Sequence, residues 1–488
     1  MKRNISMMLC LSLIAASAVS CAGGSDQTPT ETQQTTTEPV VTEEVIPLPE
    51  ADFGAADFKI LTAAEQWQDF YIADETGDAI NDAVFKRNRS VEERYNVTLD
   101  YQVLNGYMAG MESVRAALTG SVMAGSAEYD LMVGGISYIT PYVMENLYQD
   151  LYTLDQLDLD QPWWLQHVND EIDIGGHLYL GAGYYGMLAM ANAVVTFFNK
   201  QVAEDYMLED MYSLVDNGTW TFDKMIELAQ TVSADLNGDG KYDSNDRFGV
   251  MSTSDYLIDL VTSMGYSYTE RTTDGQIILR EPTEQLINIV DKIEALSSAP
   301  IFLDGNNPKQ LGKTASTADE MYEELLNLFA GNQALFMIHR LEFSTRETLR
   351  NMEKYGILPA PKYDEQQEEY ITTLVNDVAA IPGVVNDSVM SAVLLEALQY
   401  YTYDIVRPQY YEIALKRKGT RDDASEKMID LIFSNTVVDF VYIYLRILGS
   451  ELYMGASQKN YTSWAEKNYE KFRIKINQMV ETVGNFES

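Results

Sequence analysis

The spacing of apolar residues changes period repeatedly along the chain, and each change marks an element. Phe58 to Thr62 reads as a short strand. Ile80, Ala83, Val84, Val91 and Tyr95 then recur at helical spacing and predict a helix over 79–95, with Asp78 as its N-cap. Val97, Leu99, Tyr101 and Val103 alternate, which predicts a strand, and a second helix follows near 108–123. Residues 129–133 form an apolar run ending in Gly134-Gly135, as in a buried parallel strand. Further strands are predicted at 176–181 (as half of a hairpin), 193–198, from Phe248, at 334–338 and from Tyr355 into Pro359-Ala-Pro361. Helices are predicted after Thr221, at 255–264 and 282–297, and over 322–330, with Gly331 as the stop. A loop rich in Pro, Gly, Ser and Asn is expected at 298–318, a crossing segment at 371–381, and mainly helix to about 480. Strands alternating with helices predict α/β architecture with parallel sheets. Ligands of such sheets sit at the carboxyl ends of the strands. Glu65-Gln66-Trp67 and Gly134-Gly135 therefore fall near any site.

Two segments at the start do not fit this pattern. Residues 1–21 read as a secretory leader, with Lys2 and Arg3 before the apolar run Met7 to Val19. Ala18-Val19-Ser20-Cys21 resembles a bacterial lipobox, so Cys21 is expected to carry a lipid and hold the protein on the outer face of the cell membrane. Residues 22–55 are rich in Thr, Glu, Gln and Pro in their first part, and read as a disordered tether.

Composition narrows the partners. A net charge of −40 repels polyphosphates, so no nucleic-acid partner is expected. It also disfavours anionic solutes unless a local basic pocket overrides the field. The chain holds 32 Tyr, 16 Phe and 5 Trp, a supply of flat amphipathic side chains that suits sugar binding. The three histidines, His167, His177 and His339, have no metal-ligand spacing and read as structural or surface residues.

The most specific short motif is Asp235-Leu-Asn-Gly-Asp-Gly-Lys-Tyr-Asp-Ser-Asn-Asp246. Asp235, Asn237, Asp239, Asp243 and Asp246 fall at loop positions 1, 3, 5, 9 and 12, with Gly240 at the sharp turn and Lys241 offering its carbonyl. This is the spacing of a calcium loop, and Ca2+ is expected as a structural ion. The terminal Asp resembles the loops of dockerin modules. The plainer alternative is a solvated acidic turn.

Several segments together resemble a family. They are Gly77-Asp-Ala-Ile-Asn-Asp82, Arg87 to Val97, Tyr129-Asp-Leu131, Thr196-Phe-Phe-Asn-Lys200, Gly218-Thr-Trp-Thr-Phe-Asp223, Gly331-Asn-Gln-Ala-Leu-Phe336, Gly356-Ile-Leu-Pro-Ala-Pro-Lys362, Ala414-Leu-Lys416, Thr420-Arg-Asp422 and Met428-Ile-Asp430. In this order they resemble the lipid-anchored extracellular solute-binding proteins of bacterial ABC importers, of the large sugar-binding type, over nearly all of 56–488. The resemblance implies a periplasmic-binding-protein-like fold (type II) of two α/β lobes around a cleft, closing by hinge bending. It implies crossings near 186–192, 375–380 and 430. The lobes would then be 56–190 plus 376–430 and 191–375 plus 431–488. It further implies an ABC permease as partner, a monomer, and no enzymatic activity.

A sugar site needs aromatic platforms beside carboxylates and amides. The candidates at predicted strand ends are Glu65, Trp67, Trp163, Tyr184, Tyr185, Arg340, Asn376 and Asp377. Trp220 and Trp464 read as core, and Asp130 as structural. Two other classes remain open on the residues alone. A secreted glycoside hydrolase would need a carboxylate pair, which no motif selects among 74 Asp and Glu. A surface adhesin or glycan-binding module would account for the dockerin-like loop.

Overall fold

The computed structural model describes residues 47–63, 70–104, 111–186, 188–273, 275–374, 377–415, 423–444 and 461–486. The leader, Cys21, Glu65, Trp67 and Asn376 lie outside these residues.

Two five-stranded sheets organise the chain. The first begins with β1 (Ala56–Ala63) and α1 (Ala79–Tyr95). The carboxylate of Asp78 accepts the Ile80 and Asn81 amides at 3.0 and 3.1 Å, satisfying two of the orphan donors that start α1. Asn96 closes α1 in the left-handed region, and the chain turns directly into β2 (Val97–Leu104). After α2 (Met111–Ala124) comes β3 (Leu131–Gly135), and after α3 (Gln166–Ile172) comes the two-residue β4 (Gly181–Ala182). β1 pairs in parallel with both β2 and β3. Asp130 fixes the second pairing, because its Oδ2 accepts the Lys59 amide at 2.9 Å.

The second sheet starts at β5 (Val194–Asn199). α4 (Phe222–Val232) precedes β6 (Phe248–Ser252), and a small hairpin of β7 (Thr269–Arg271) and β8 (Ile277–Leu279) leads into α5 (Glu284–Ser297). β9 (Phe302–Asp304), α6 (Ala318–Ala330), β10 (Ala334–Arg340) and β11 (Tyr355–Pro359) complete it, in the order β11-β5-β10-β6-β9. Then β12 (Thr372–Thr373) leads to β13 (Asp377–Ala380), which returns to the first sheet between β3 and β4, giving β2-β1-β3-β13-β4. α7 (Ser388–Tyr401) packs on α1. It runs through a π-helical turn, Thr402–Val406, into α8 (Arg407–Leu415). α9 (Asp423–Ser434) lies on β11, β14 (Thr436–Val437) pairs with β12, and α10 (Tyr461–Gly484) lies along β8.

The predicted purely parallel sheets are each mixed. The two antiparallel intruders are β5 and β13, the strands that follow the crossings. A strand arriving from the other lobe enters at the carboxyl edge of its new sheet, so it must run against the strands already there. The 176–180 segment makes only the start of a hairpin, one antiparallel bridge between Ile174 and His177, and no extended strand follows. Gly175 and Gly176 turn the chain at φ +65° and +91°. Leu178 then bonds through its amide to the Asp150 carboxylate and through its carbonyl to the Leu151 amide. The 298–318 loop contains β9, whose Phe302 and Leu303 are buried.

Several of the family-like segments are joints between elements. Thr221 bridges Lys362, Phe222 donates to the Lys362 carbonyl at 2.8 Å, and the Trp220 indole donates to the Pro359 carbonyl at 3.0 Å. Asn199 caps the next helix through the Val202 amide and donates to the Phe329 carbonyl at 3.0 Å. Arg87 is fully buried and donates to Asn88, Thr402 and the Phe70 carbonyl, tying α1 to the π turn.

Candidate functional site

The crossings expected near 186–192 and 375–380 each deliver a strand to a carboxyl edge: β5 enters beside the end of β10, with Val194 opposite Arg340, and β13 beside the end of β3, with Asp377 opposite Gly135. β4 ends at Ala182 and β5 starts at Val194; β12 ends at Thr373 and β13 starts at Asp377. The seam between the lobes therefore carries the residues that follow the parallel strands. From the first lobe these are Gly135, opposite Asp377, and Tyr184 to Gly186. From the second they are Ser252 to Tyr256, and Arg340 opposite Val194.

Tyr184, Tyr185 and Asp377 are brought together there. Gly186 follows at φ +117°, and a Cβ on it would stand 2.6 Å from Asp377 Oδ2 and 2.9 Å from the Phe70 ring. Only glycine lets the chain turn this closely over the carboxylate. Tyr185 is buried; its hydroxyl meets that of Tyr101 at 2.6 Å, and the Arg87 guanidinium lies 4.8 Å from its ring centroid. Burial, and then Tyr101, push its hydroxyl well above the ordinary tyrosine range. Tyr184 stands edge-on to Tyr403 at 5.3 Å, with the Arg407 guanidinium 5.5 Å from its ring.

In the second lobe Arg340 lies 5.2 Å over the Tyr256 ring, 3.9 Å from Glu342. Burial lowers its affinity for a proton, but Tyr256 and Glu342 more than offset that. Behind it His339 is fully buried, stacked on Phe343 at 3.5 Å and beside Tyr256 at 4.3 Å. Burial, with Arg340 and Arg346 nearby, holds the imidazole well below its ordinary value, so it is neutral. His339 thus serves as packing beneath the rim.

Trp163 stands elsewhere. It and Trp164 are both buried, and their indole nitrogens donate to the two oxygens of one carboxylate, Glu396, at 2.7 and 3.0 Å. They lie in a turn before α3, which lets adjacent side chains converge in a way that a helix forbids. Glu396, Tyr256, Tyr403, Arg407 and Tyr411 were not singled out by sequence. The signal available was the spacing: Tyr403 and Tyr411 flank Arg407 at four residues on each side, which puts both rings on its face of a helix.

The 235–246 loop lies beyond the amino end of β6, away from the seam. Asp235 accepts the Gly238 and Gly240 amides, Asp239 that of Lys241, and the wholly buried Asp246 those of Leu236 and Asp243. Gly240 takes φ +78°. Among the described residues no three His, Cys, Asp or Glu side chains converge as a metal-holding group. Two surface pockets, of about 280 and 410 Å³, also lie off the seam; the larger is lined by Glu281, Tyr469 and Arg473 among others.

No family model matches the chain, and no curated protein matches it. Solved structures do match. A sugar transporter from Rhizobium etli, in an open conformation, is 13% identical over 88% of this chain and 100% of its own, with a TM-score of 0.58. The sugar-binding protein MalE of Xanthomonas citri is 11% identical over 88% and 97%, with a TM-score of 0.56. An ABC substrate-binding protein from Listeria monocytogenes, in complex with cycloalternan, is 12% identical over 88% and 99%, with a TM-score of 0.52. This chain therefore has the two-lobed α/β fold found in sugar-binding ABC solute-binding proteins.

Proposed function

We propose that the protein is a solute-binding protein that captures a carbohydrate, an oligosaccharide in particular, and delivers it to an ABC permease. The observation that carries this is the seam itself. Two sheets that each receive a crossing strand at a carboxyl edge bring Tyr184, Tyr185 and Asp377 from one lobe to the same boundary as Tyr256 and Arg340 from the other. Aromatic faces cover the C–H side of a pyranose, while carboxylate and guanidinium hydrogen-bond its hydroxyls. The fold likeness supports the same reading. Other chains with this fold were solved with mannotriose, maltotetraose and cycloalternan. Glu65, Trp67 and Asn376, which lie outside the described residues, stay candidates on their sequence positions alone, after β1 and before β13.

The reading includes no catalysis: the protein holds its solute by closure of two lobes and releases it unchanged. It also includes a lipid on Cys21, a monomeric head, and a calcium ion bracing the 235–246 loop through Asp235, Asn237, Asp239, Asp243 and Asp246 with the Lys241 carbonyl. The amides already drawn onto Asp235 and Asp246 close the loop, and a cation there would offset the repulsion among its carboxylates.

A thermal-shift screen against mono- and oligosaccharides, peptides and polyols tests the main claim. A ligand at 100 times its Kd stabilises by about 2.7 kcal/mol. A shift with glycans is the expected result. A shift with peptides or polyols and none with any glycan would sink the assignment. Turnover of an oligosaccharide would favour the hydrolase reading instead.

A further inference from the structure

Acids outnumber bases in this chain by 74 to 34, so a basic side chain seldom lacks a carboxylate. Arg89, Arg94, Arg115, Arg271, Arg280, Arg346 and Arg473 each have one. Arg87 and Arg247 have none among the described residues but donate to neutral acceptors, Arg87 to Asn88, Thr402 and the Phe70 carbonyl and Arg247 to Tyr206 and the Asn332 carbonyl. Arg407 has a different setting. Its guanidinium is half-buried and sits among three tyrosine rings, 4.5 Å from the centroid of Tyr411, 4.7 Å from Tyr403 and 5.5 Å from Tyr184. Its Nε is buried without a hydrogen-bond acceptor, and it has no carboxylate partner among the described residues. Asp404, one turn earlier, points to solvent instead.

The position matters as much as the vacancy. Arg407 follows the π turn, and α8 packs against both α1 of the first lobe and the 341–345 turn of the second. That turn begins directly after Arg340, and Tyr184 is the first aromatic after β4. Arg407 thus stands at the seam, with a rigid aromatic seat and a positive charge that no carboxylate among the described residues balances. The rings hold the guanidinium by cation–π attraction and keep water from one side of it. A partly desolvated guanidinium fork matches an anionic oxygen pair.

We propose that the solute is an acidic saccharide, carrying a uronate carboxylate, and that Arg407 is the residue that selects it. The proposal rests on the carbohydrate reading above and narrows it. Arg340 is the weaker second cation, since Glu342 and Asp259 already balance it. The buried Asp377 opposes an anion, so the charged group would sit toward Arg407 and the neutral rings toward Asp377. The surrounding charge of −40 slows the approach of such a solute, which makes its capture steeply dependent on a local cation.

The test is calorimetric binding to the full chain of three oligosaccharides of one length: neutral, uronate-containing and sulfated. The expected result is at least tenfold tighter binding of the uronate form than the neutral one. Arg407→Gln should weaken uronate binding at least tenfold more than neutral binding and so abolish the preference, and Arg407→Lys should keep part of it. Equal or tighter binding of the neutral form by the unaltered protein overturns the proposal, as does an undiminished preference in Arg407→Gln. Preference for the sulfated form alone also overturns it as stated. Absence of binding to all three overturns the carbohydrate reading itself, an outcome distinct from loss of acid preference.

Discussion

Replacing Glu396 with Gln removes a buried ionisation while keeping the shape of the side chain. Glu396 is only 2% exposed. Trp163 and Trp164 donate to its two oxygens, and the Asp158 amide reaches Oε2 at 3.3 Å. Those donors favour the carboxylate, but desolvation outweighs them and pushes the acid up to about 7 from its ordinary 4.5. Between these two values the folded protein keeps a proton that the unfolded chain has lost. The contribution is therefore fully present below pH 4.5 and is lost as the pH rises through 7. In full it amounts to about 3.4 kcal/mol, at about 1.36 kcal/mol per pH unit, of which about 2.5 falls between pH 5 and pH 8. Glu396→Gln should cost about 1–3 kcal/mol at low pH, because its amide faces one indole N–H donor to donor. Its penalty should shrink or reverse toward pH 8. Urea unfolding followed by tryptophan fluorescence reads this directly, since Trp163 and Trp164 touch the group. A difference between the two proteins that stays flat from pH 5 to pH 8 would refute the reasoning, because it would mean the carboxyl ionises as it does in water.

Other outcomes follow from the loop, the lobe contacts and the turn at the seam. Chelation by EGTA should lower the Tm and leave the ranking of solutes unchanged; an unchanged Tm would remove calcium from the loop, and an altered ranking would make the loop part of recognition. Arg271 of the β7–β8 hairpin donates to the carbonyls of Asp170 at 2.5 Å and Asp173 at 2.8 Å, at the carboxyl end of α3 in the other lobe. Arg271→Ala should destabilise by roughly 1–2 kcal/mol and speed amide exchange in α3; unchanged exchange there would show that the contact does not couple the lobes. Gly186→Ala should lower stability by roughly 1–3 kcal/mol, through strain at positive φ and the clash with Asp377, measured as a fall in Tm; a neutral effect would mean that the turn can relax.

Much of the fold was legible because local rules and tertiary packing agree. The helix over 79–95 has its Asp78 cap and its buried Val84, Val91 and Tyr95 as the spacing predicts. The Thr221 cap and the strands at β5, β6 and β10 were legible for the same reason. Strand direction was not. Whether β5 runs with or against its neighbours depends on which edge the chain enters, and apolar period carries no such information. The candidate site was legible only where residues sit at strand ends. Tyr184, Tyr185 and Asp377 meet because β4 and β13 are neighbours. Trp163 looked like a platform because exposed and buried tryptophans have the same sequence signature. Its true surroundings are set by Glu396, far along the chain. Arg407 was hidden because its meaning lies in what does not pair with it. The family-like segments around Arg87, Asn199, Trp220 and Lys362 marked joints of the scaffold rather than residues of the seam.

The position of β13 has a consequence for how the chain is built. The second sheet closes within one uninterrupted stretch, from β5 to β11. The first sheet cannot do so, because β4 reaches the other strands only through β13. During synthesis β1, β2 and β3 emerge early, yet β3 keeps an unpaired edge until residue 377 arrives. The lobe that is made first is therefore finished last, and a chain stopped near residue 374 would expose that edge to other chains. Long-range closure of this kind also slows folding.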